Sequence, residues 1–287
     1  MIKPDPQKIA AYRSPARTVS YGARETVLHA LGLGLGADPV NRDELAFVYE
    51  EWGPKVVPSF ASIIGHDTAW FLDDDSGVGD APNVHGDETI TFHKPLASEG
   101  TVMCQSRFTG LYDWGEGRHA ILTLEDTVAD AASGDLLVTL KQTCVLLGAG
   151  GFGGEPPKRR ERATAPDRVP DHIVTRSVMP QAALLYRLSG DTYELHTDPA
   201  FARDSGFDGP ILHGLATYGM ACYAVVASCC AHDPNGLAGF HGRFTVPVYP
   251  GETLETVIWQ DGSDVLHRTR SIERDVVVLD HGKAELC

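Results

Sequence analysis

The sequence predicts an α+β protein that uses one plan twice, a buried helix followed by several antiparallel strands. Three observations predict it. Two local matches recur in the same order: "PLASEGTV" (95–102) aligns without a gap on "PVYPGETL" (247–254), an offset of 152. "VVPSFASIIG" (56–65) aligns on "ILHGLATYGM" (211–220), an offset of 155, and the pair together indicates duplication. Each helical segment is followed by runs rich in β-branched and aromatic residues, the order of an α+β domain. Between residues 147 and 176 the composition turns to Gly, Pro and charge, which reads as a linker or long surface loop. The predicted organisation is an N-terminal repeat over 1–150, a linker over 151–177 and a C-terminal repeat over 178–287.

In the first half the helix is expected over "PSFASIIGHDTAWFL" (58–72). The strands are "ETITFHK", "TVMCQSRFTGLYDW", "HAILTLEDTVAD" and "LLVTLKQTCVLL". In the second half "HGLATYGMACYAVVASCCA" has apolar or small residues at 215, 218, 222, 225, 226 and 229. That is helical spacing with apolar residues nearly all round, so the helix is buried. Strands follow at "GRFTVPV", "TLETVIWQD", "VLHRTRSIE" and "DVVVLDHGKAEL". His85 and His241 lead the first strand of each half and read as satisfied polar residues at strand starts.

Of the 287 residues 43% are hydrophobic and 22% charged, enough to bury a substantial core. The net charge of −15 argues against non-specific binding to nucleic acid or anionic membranes, though not against a local basic pocket. "MIKPDPQKIAAYRS" lacks a secretory apolar core and no run is long enough to span a bilayer. Six cysteines without framework spacing read as reduced thiols, and the expected compartment is cytoplasmic. No CxxC or HExxH occurs, so no metal site is expected. "GLGLGA" (32–37) lacks the spacing of a dinucleotide-binding loop.

The chemistry concentrates in "SGDTYELHTDPAFARDSG". Asp191 and His196, five positions apart, share neither a strand face nor a helix face, so only a turn over 192–195 lets them cooperate. Thr197 or Asp198 caps a short helix, Pro199 suits its first turn and Gly206 stops it. Downstream, Gly209-Pro210 leads an extended approach to His213-Gly214, which opens the long helix. Gly214 lets a ligand come close to a backbone N–H that has no partner inside the helix. An acid, an imidazole and an oxyanion donor suit addition of water to, or its removal from, an α,β-unsaturated carbonyl.

The stretch "YRLSGDTYELHTDPAFARDSGFDGPILHGLATYGM" resembles the signature of the MaoC-like, type 2 enoyl-CoA hydratases, Y-R-L-S-G-D-x-N-P-L-H-x-D-P-x-x-A followed by P-I-L-H-G-L-x-T-x-G. "ALGLGLGADP", "HGDETITFHKPLASEGTV", "GAGGFGGEPP" and "FTVPVYPGETL" are similar to the two-domain members, so the resemblance covers most of the chain. It implies a double hot-dog fold, each repeat a long central helix wrapped by an antiparallel sheet. It implies reversible hydration of trans-2-enoyl-CoA to (3R)-3-hydroxyacyl-CoA without metal or redox cofactor, CoA being part of the substrate. On the matched positions, Asp191 and His196 are the water-activating pair and Gly214 N–H binds the thioester oxygen. Tyr193 and His213 are read as substrate-binding, Tyr186, Arg187 and Ser189 as a structural lead-in, and a homodimer as the assembly.

Two departures stand out. Tyr193-Glu194 replaces the family's Asn-Pro, removing the Asn of the hydrogen-bond network and a fixed turn. When "SYGARETVLHALG" is set on the motif, Ala23 falls on Asp191 and Leu28 on His196, with His29 out of phase. The first repeat therefore reads as catalytically degenerate and as the source of the acyl pocket. CoA phosphates need a basic contact, with "KRRER" (158–162), Arg107, Arg118 and Arg243 all open. The alternatives are a dehydratase on a polyketide or fatty-acyl thioester, a hot-dog thioesterase, or a non-catalytic acyl-CoA-binding subunit.

Overall fold

The computed structural model describes residues 2–71, 73–157 and 162–287. Most of "KRRER", residues 158–161, lies outside them. Two compact units emerge: residues 1–19, 64–94 and 101–162 form one, and residues 20–63, 95–100 and 163–287 the other.

The described strands are β1 (Arg17–Tyr21), β2 (Asn83–Phe92), β3 (Gly100–Asp113), β4 (Ala120–Asp130), β5 (Leu136–Leu146), β6 (His172–Ser177), β7 (Leu237–Phe244), β8 (Thr253–Asp261), β9 (Asp264–Ser271) and β10 (Val276–Leu286). The first five run in the order β1-β3-β4-β5-β2 and the last five in the order β6-β8-β9-β10-β7. Adding five to each label of the first series gives the second, so the duplication visible in two short sequence matches extends to the whole strand permutation. The α+β expectation holds. Seven of the eight runs expected from sequence are strands over most of their length, whereas only Gly242–Phe244 of "GRFTVPV" is strand, because β7 begins earlier, at Leu237, and ends at Phe244. β3 shows why such runs form strands: Val102, Cys104 and Ser106 are buried while Thr101, Met103 and Gln105 face out, the period-two pattern of a half-buried strand. β1 and β6 were not expected. Both are short, stand at the end of their order and alternate between partial and full exposure along most of their length, so neither carries an apolar signal. β6 ends the Gly/Pro-rich stretch that the sequence presents as loop.

In the second unit the helix Gly214–Cys229 lies against β7–β10 and is buried without a break from Ala216 to Val226. Its side chains pack on all sides, which explains the apolar surround. A Cβ at Gly219 would come 2.8 Å from Leu33 and 2.9 Å from Ser59 Oγ, so glycine is needed for the close approach. Tyr218 donates its hydroxyl to the Phe240 carbonyl (2.8 Å) and meets the Phe240 ring edge-on.

The first-half helix is shorter than expected. It spans only Phe60–Gly65, and the chain re-coils into a single turn at Ala69–Phe71. The cause lies in the residues that follow it. A Cβ at Gly65 would come 2.4 Å from Leu140 and 3.0 Å from Val128. His66 then turns into the first unit between two fully buried carboxylates, Nδ1 at 2.9 Å from Asp126 Oδ2 and Nε2 at 3.1 Å from Glu88 Oε2. Gln142 Nε2 also donates to Asp126 (2.9 Å). Burial alone would lower the His66 pKa, but the two acids outweigh it and hold it up at about 10. Asp67 accepts from Ser14 Oγ and from Ala69 N–H (3.0 Å), ending the helix. A long apolar helix is thus exchanged here for a buried ion cluster.

The Gly-rich loop after β5 is likewise anchored. Asp113 at the end of β3 accepts N–H bonds from Gly115, Gly151, Gly153 and Gly154 (2.7–3.3 Å). Led by the Gly151 bond, these hold its carboxyl down at about 2.

Candidate active site

The motif residues all lie in the second unit. The helix Ala182–Tyr186 runs into a tight turn, Arg187–Ser189, that ends at Gly190 with φ +133°, a backbone state open to glycine. Tyr186 is buried, its ring 5.0 Å from His213. Asp191 follows, exposed, and its Oδ1 accepts the Tyr193 N–H (3.2 Å) to start a turn. A single turn over Glu194–His196 brings the chain to Asp198, whose Oδ1 accepts from Ala200 and Phe201 N–H and caps the helix Pro199–Asp204. Gly206, at φ +89°, closes that helix. The capping grammar expected from sequence is present, with Asp198 rather than Thr197 as the cap.

Three bonds then zip this segment onto the approach to the long helix. Ile211 N–H reaches the Leu195 carbonyl (3.4 Å), His196 Nδ1 donates to the Ile211 carbonyl (2.9 Å), and His213 Nε2 donates to the Asp191 carbonyl (3.1 Å). The two imidazoles stack, centroids 3.8 Å apart at 23°. One side-chain donor atom from each of Asp191, His196 and His213 lies within 4.8 Å of the others. The five-residue gap is bridged by the Asp191–Tyr193 turn followed by the single turn Glu194–His196, rather than by one turn over 192–195.

Because Nδ1 of His196 carries the proton given to Ile211, Nε2 is the basic atom. Burial lowers the His196 pKa, partly offset by the Ile211 bond and by Asp191. Burial and the neighbouring His196 lower that of His213 to about 4. Both rings are therefore neutral near pH 7. Gly214 is exposed at the first position of its helix, where the N–H has no place in the helical ladder. A Cβ there would meet Phe244 at 3.4 Å, an ordinary contact, so packing alone does not demand glycine.

Tyr193 is 52% exposed, with its ring edge-on to Phe201 (5.5 Å) and 6.3 Å from His196. Its φ of −59° and ψ of 132° are those of a residue that precedes proline, so the turn survives the loss of that proline. Sequence reasoning missed the Ile211 carbonyl, a backbone acceptor with no side-chain signal, and Phe201, which looked like an ordinary helix residue. Elsewhere, Arg107 is paired with Glu125 and Arg118 stacks over Trp114 (5.5 Å). His85 and His241 lie inside β2 and β7 rather than at their starts, and His85 stands 3.5 Å from Glu88 in the His66 cluster. Ala23 starts the helix Ala23–Gly32, on which Leu28 is half-buried, and His29 is fully buried with Nε2 on Ser59 Oγ (2.9 Å).

Comparison with known proteins follows the same division. Residues 161–281 match the MaoC like domain, and residues 19–148 match the MFE-2 hydratase 2 N-terminal domain. The chain is 37% identical to the Arabidopsis thaliana protein named enoyl-CoA hydratase 2, peroxisomal, over 94% of this chain and 92% of that one. The chain belongs to the MaoC-like hydratase 2 family. Among solved structures, a MaoC-like dehydratase from Phytophthora capsici superimposes with a TM-score of 0.83 at 26% identity, covering 99% of this chain and 98% of that one. A Mycobacterium tuberculosis protein described as having a double hotdog fold aligns over 96% of both chains, with a TM-score of 0.58 and 16% identity. The second likeness speaks to the fold alone, and it agrees with the double hot-dog expected of a MaoC-like member. Among the described residues no helix is long and apolar enough to cross a membrane.

Proposed function

We propose that this MaoC-like protein is a hydro-lyase that hydrates a trans-2-enoyl-CoA thioester to the (3R)-3-hydroxyacyl-CoA, and catalyses the reverse dehydration through the same groups. The observation that carries the reading is the convergence of Asp191 and a neutral His196, whose Nδ1 is tied to a backbone carbonyl and whose Nε2 is left for water. The names of the relatives, a hydratase and a dehydratase, support both directions.

Asp191 and His196 Nε2 hold one water, which adds its oxygen to C3 as a proton is delivered to C2. Positioned acid–base groups of this kind contribute ~10²–10⁴ in rate. Gly214 N–H donates to the thioester oxygen as it gains enolate character, a contribution of ~10²–10³. His213 fixes the Asp191 backbone and supports the His196 ring by stacking. Tyr193 offers an aromatic edge to the substrate in place of the family's Asn. The substrate brings its own CoA, and the reading includes no resident cofactor and a homodimeric assembly. The test is purified protein with trans-2-enoyl-CoAs of graded chain length, following loss of the enoyl-thioester absorbance and the chirality of the product. Accumulation of the 3R alcohol is expected. Full activity retained in both Asp191→Asn and His196→Ala would refute the site.

A further inference from the structure

We propose that Tyr186 and Gly32 are positioning residues for the Asp191–His196 pair, so that the first-half helix Ala23–Gly32, which carries neither catalytic group, holds the catalytic rings in place. The effect on rate rests on the hydratase reading; the contacts themselves do not. Both helices belong to the second unit, where Ala182–Tyr186 packs on Ala23–Gly32. Among the described residues each stacked imidazole has one ring hydrogen bond, His196 through Nδ1 to Ile211 and His213 through Nε2 to Asp191. The Nδ1 of His213 is buried without a partner. A ring held by a single bond can swing about it, so packing must fix its plane. Two rings pack on His213: His196 at 3.8 Å and 23°, and Tyr186 at 5.0 Å and 44°. Tyr186 is in turn seated on the first-half helix. A Cβ at Gly32 would come 3.3 Å from Tyr186 Cδ2 and 3.4 Å from its Cα. His29 lies 5.7 Å from the Tyr186 ring and is itself fixed by Ser59 Oγ (2.9 Å). Contacts therefore run without a gap from Gly32 through Tyr186 and His213 to His196.

The seat depends on closeness rather than on backbone freedom. Gly32 is the last residue of its helix and has no positive φ, so alanine would be the better helix former there. What glycine supplies is the absence of a Cβ, which lets Tyr186 approach to contact distance. Tyr186 is 1% exposed and cannot retreat into water. Packed interiors hold few voids and pass displacements on. A methyl at Gly32 therefore shifts Tyr186, and with it the rings that pack on it. His196 Nε2 then loses its aim at the water it shares with Asp191, and a misplacement of ~1 Å can cost ~10²-fold in rate. Tyr186 itself, being buried, touches no substrate, so KM is largely spared. The segment that carries Ala23 and Leu28 in place of the acid and the imidazole thus keeps a task in the same reaction.

The test compares Gly32→Ala, Tyr186→Leu and Tyr186→Phe in the full chain. Gly32→Ala is expected to lower kcat by ~5- to 50-fold, with KM within about twofold and Tm within ~3 °C of wild type, since alanine favours the helix. The imidazole ring-proton NMR resonances of His196 and His213, assigned by their loss in His196→Ala and His213→Gln, should move in Gly32→Ala, because a displaced neighbouring ring changes the ring current that each feels. Tyr186→Leu removes the ring and should lower kcat by ~10²-fold. Water entering beside the stack should also raise the acid limb of kcat/KM towards pH 6.5, because burial is what lowers both imidazoles. Tyr186→Phe keeps the ring and should stay within about threefold of wild type. Wild-type kcat in Gly32→Ala, or unmoved His196 and His213 resonances, would overturn the proposal. So would a Tyr186→Phe as impaired as Tyr186→Leu, which would place the effect in the hydroxyl. If the wild type turns over no enoyl-CoA, the hydratase reading falls, and the two resonances in Gly32→Ala alone decide whether this seat holds the stack.

Discussion

Replacing His66 by Gln tests the ion cluster that interrupts the first-half helix. The imidazolium sits between Asp126 and Glu88, both fully buried, at 2.9 and 3.1 Å. Glutamine keeps the volume but leaves two buried carboxylates with no cation between them. Removing one partner of a buried ion pair costs about 3–5 kcal/mol. Raising the imidazole from 6.5 to about 10 gives an independent upper bound of roughly 5 kcal/mol at ~1.36 kcal/mol per pH unit. The two routes agree on a fall in Tm on the order of 10 °C at pH 7. The sign of the pH dependence follows from the raised folded-state value. The stabilisation is complete below pH 6.5 and is lost as the pH climbs through about 10. His85, Asp87 and Cys144 also face this cluster, so the quantity to read is the difference between wild type and His66→Gln. Urea unfolding at pH 7, 9 and 10.5 should show that difference shrinking as the pH rises. A variant within ~1 kcal/mol of wild type at pH 7, or a constant difference across the series, would refute the account of a buried charged imidazole.

The remaining predictions concern the second unit. Asp191→Asn and His196→Ala should each lower kcat by ~10²–10⁴, measured by enoyl-CoA hydration, with the Asp191→Asn melt close to wild type and the His196→Ala melt lowered by the lost Ile211 bond. Since burial lowers the His196 pKa, the acid limb of kcat/KM should fall below pH 6.5, as protonation removes the Nε2 lone pair, and a limb above pH 7 would contradict this. Gly214→Ala should leave stability within ~0.5 kcal/mol, because its Cβ meets only an ordinary contact, yet reduce kcat at least tenfold by crowding the thioester oxygen. Tyr193→Phe should stay within about twofold of wild type, because the ring edge makes the contacts, whereas Tyr193→Asn should shift chain-length preference through KM.

The motif was largely legible because its signals are local: Gly190 at a turn, Asp198 before Pro199, and His213-Gly214 at a helix start all act within a few residues. The strand runs were legible because each is locally rich in β-branched and aromatic residues, whether half-buried and alternating like β3 or buried without a break like the start of β4. The His66 cluster was not, because its partners lie 22, 60 and 76 residues away. Glu88 and Asp126 sit in alternating runs where an acid reads as solvent-facing, and no local pattern marks a charge that is buried by its partner. The apolar content of "PSFASIIGHDTAWFL" argued for a long helix, and the tertiary demand for His66 overrode it. The edge strands β1 and β6 were hidden for the opposite reason, since exposure leaves their sequences without a periodic apolar face.

The zipping of 191–196 onto 211–213 has a consequence for how this protein could diverge. Asp191, His196, His213 and Gly214 come from one continuous stretch and are held to each other by its own backbone. A duplicated gene therefore needs to preserve that stretch only once. On the proposed function the first half, with Ala23 and Leu28 at the matched positions, need not carry these groups, and there an exchange as drastic as a helix for a buried ion cluster can be accepted. On that reading the segment is a transferable cassette, held together by bonds within its own stretch of chain.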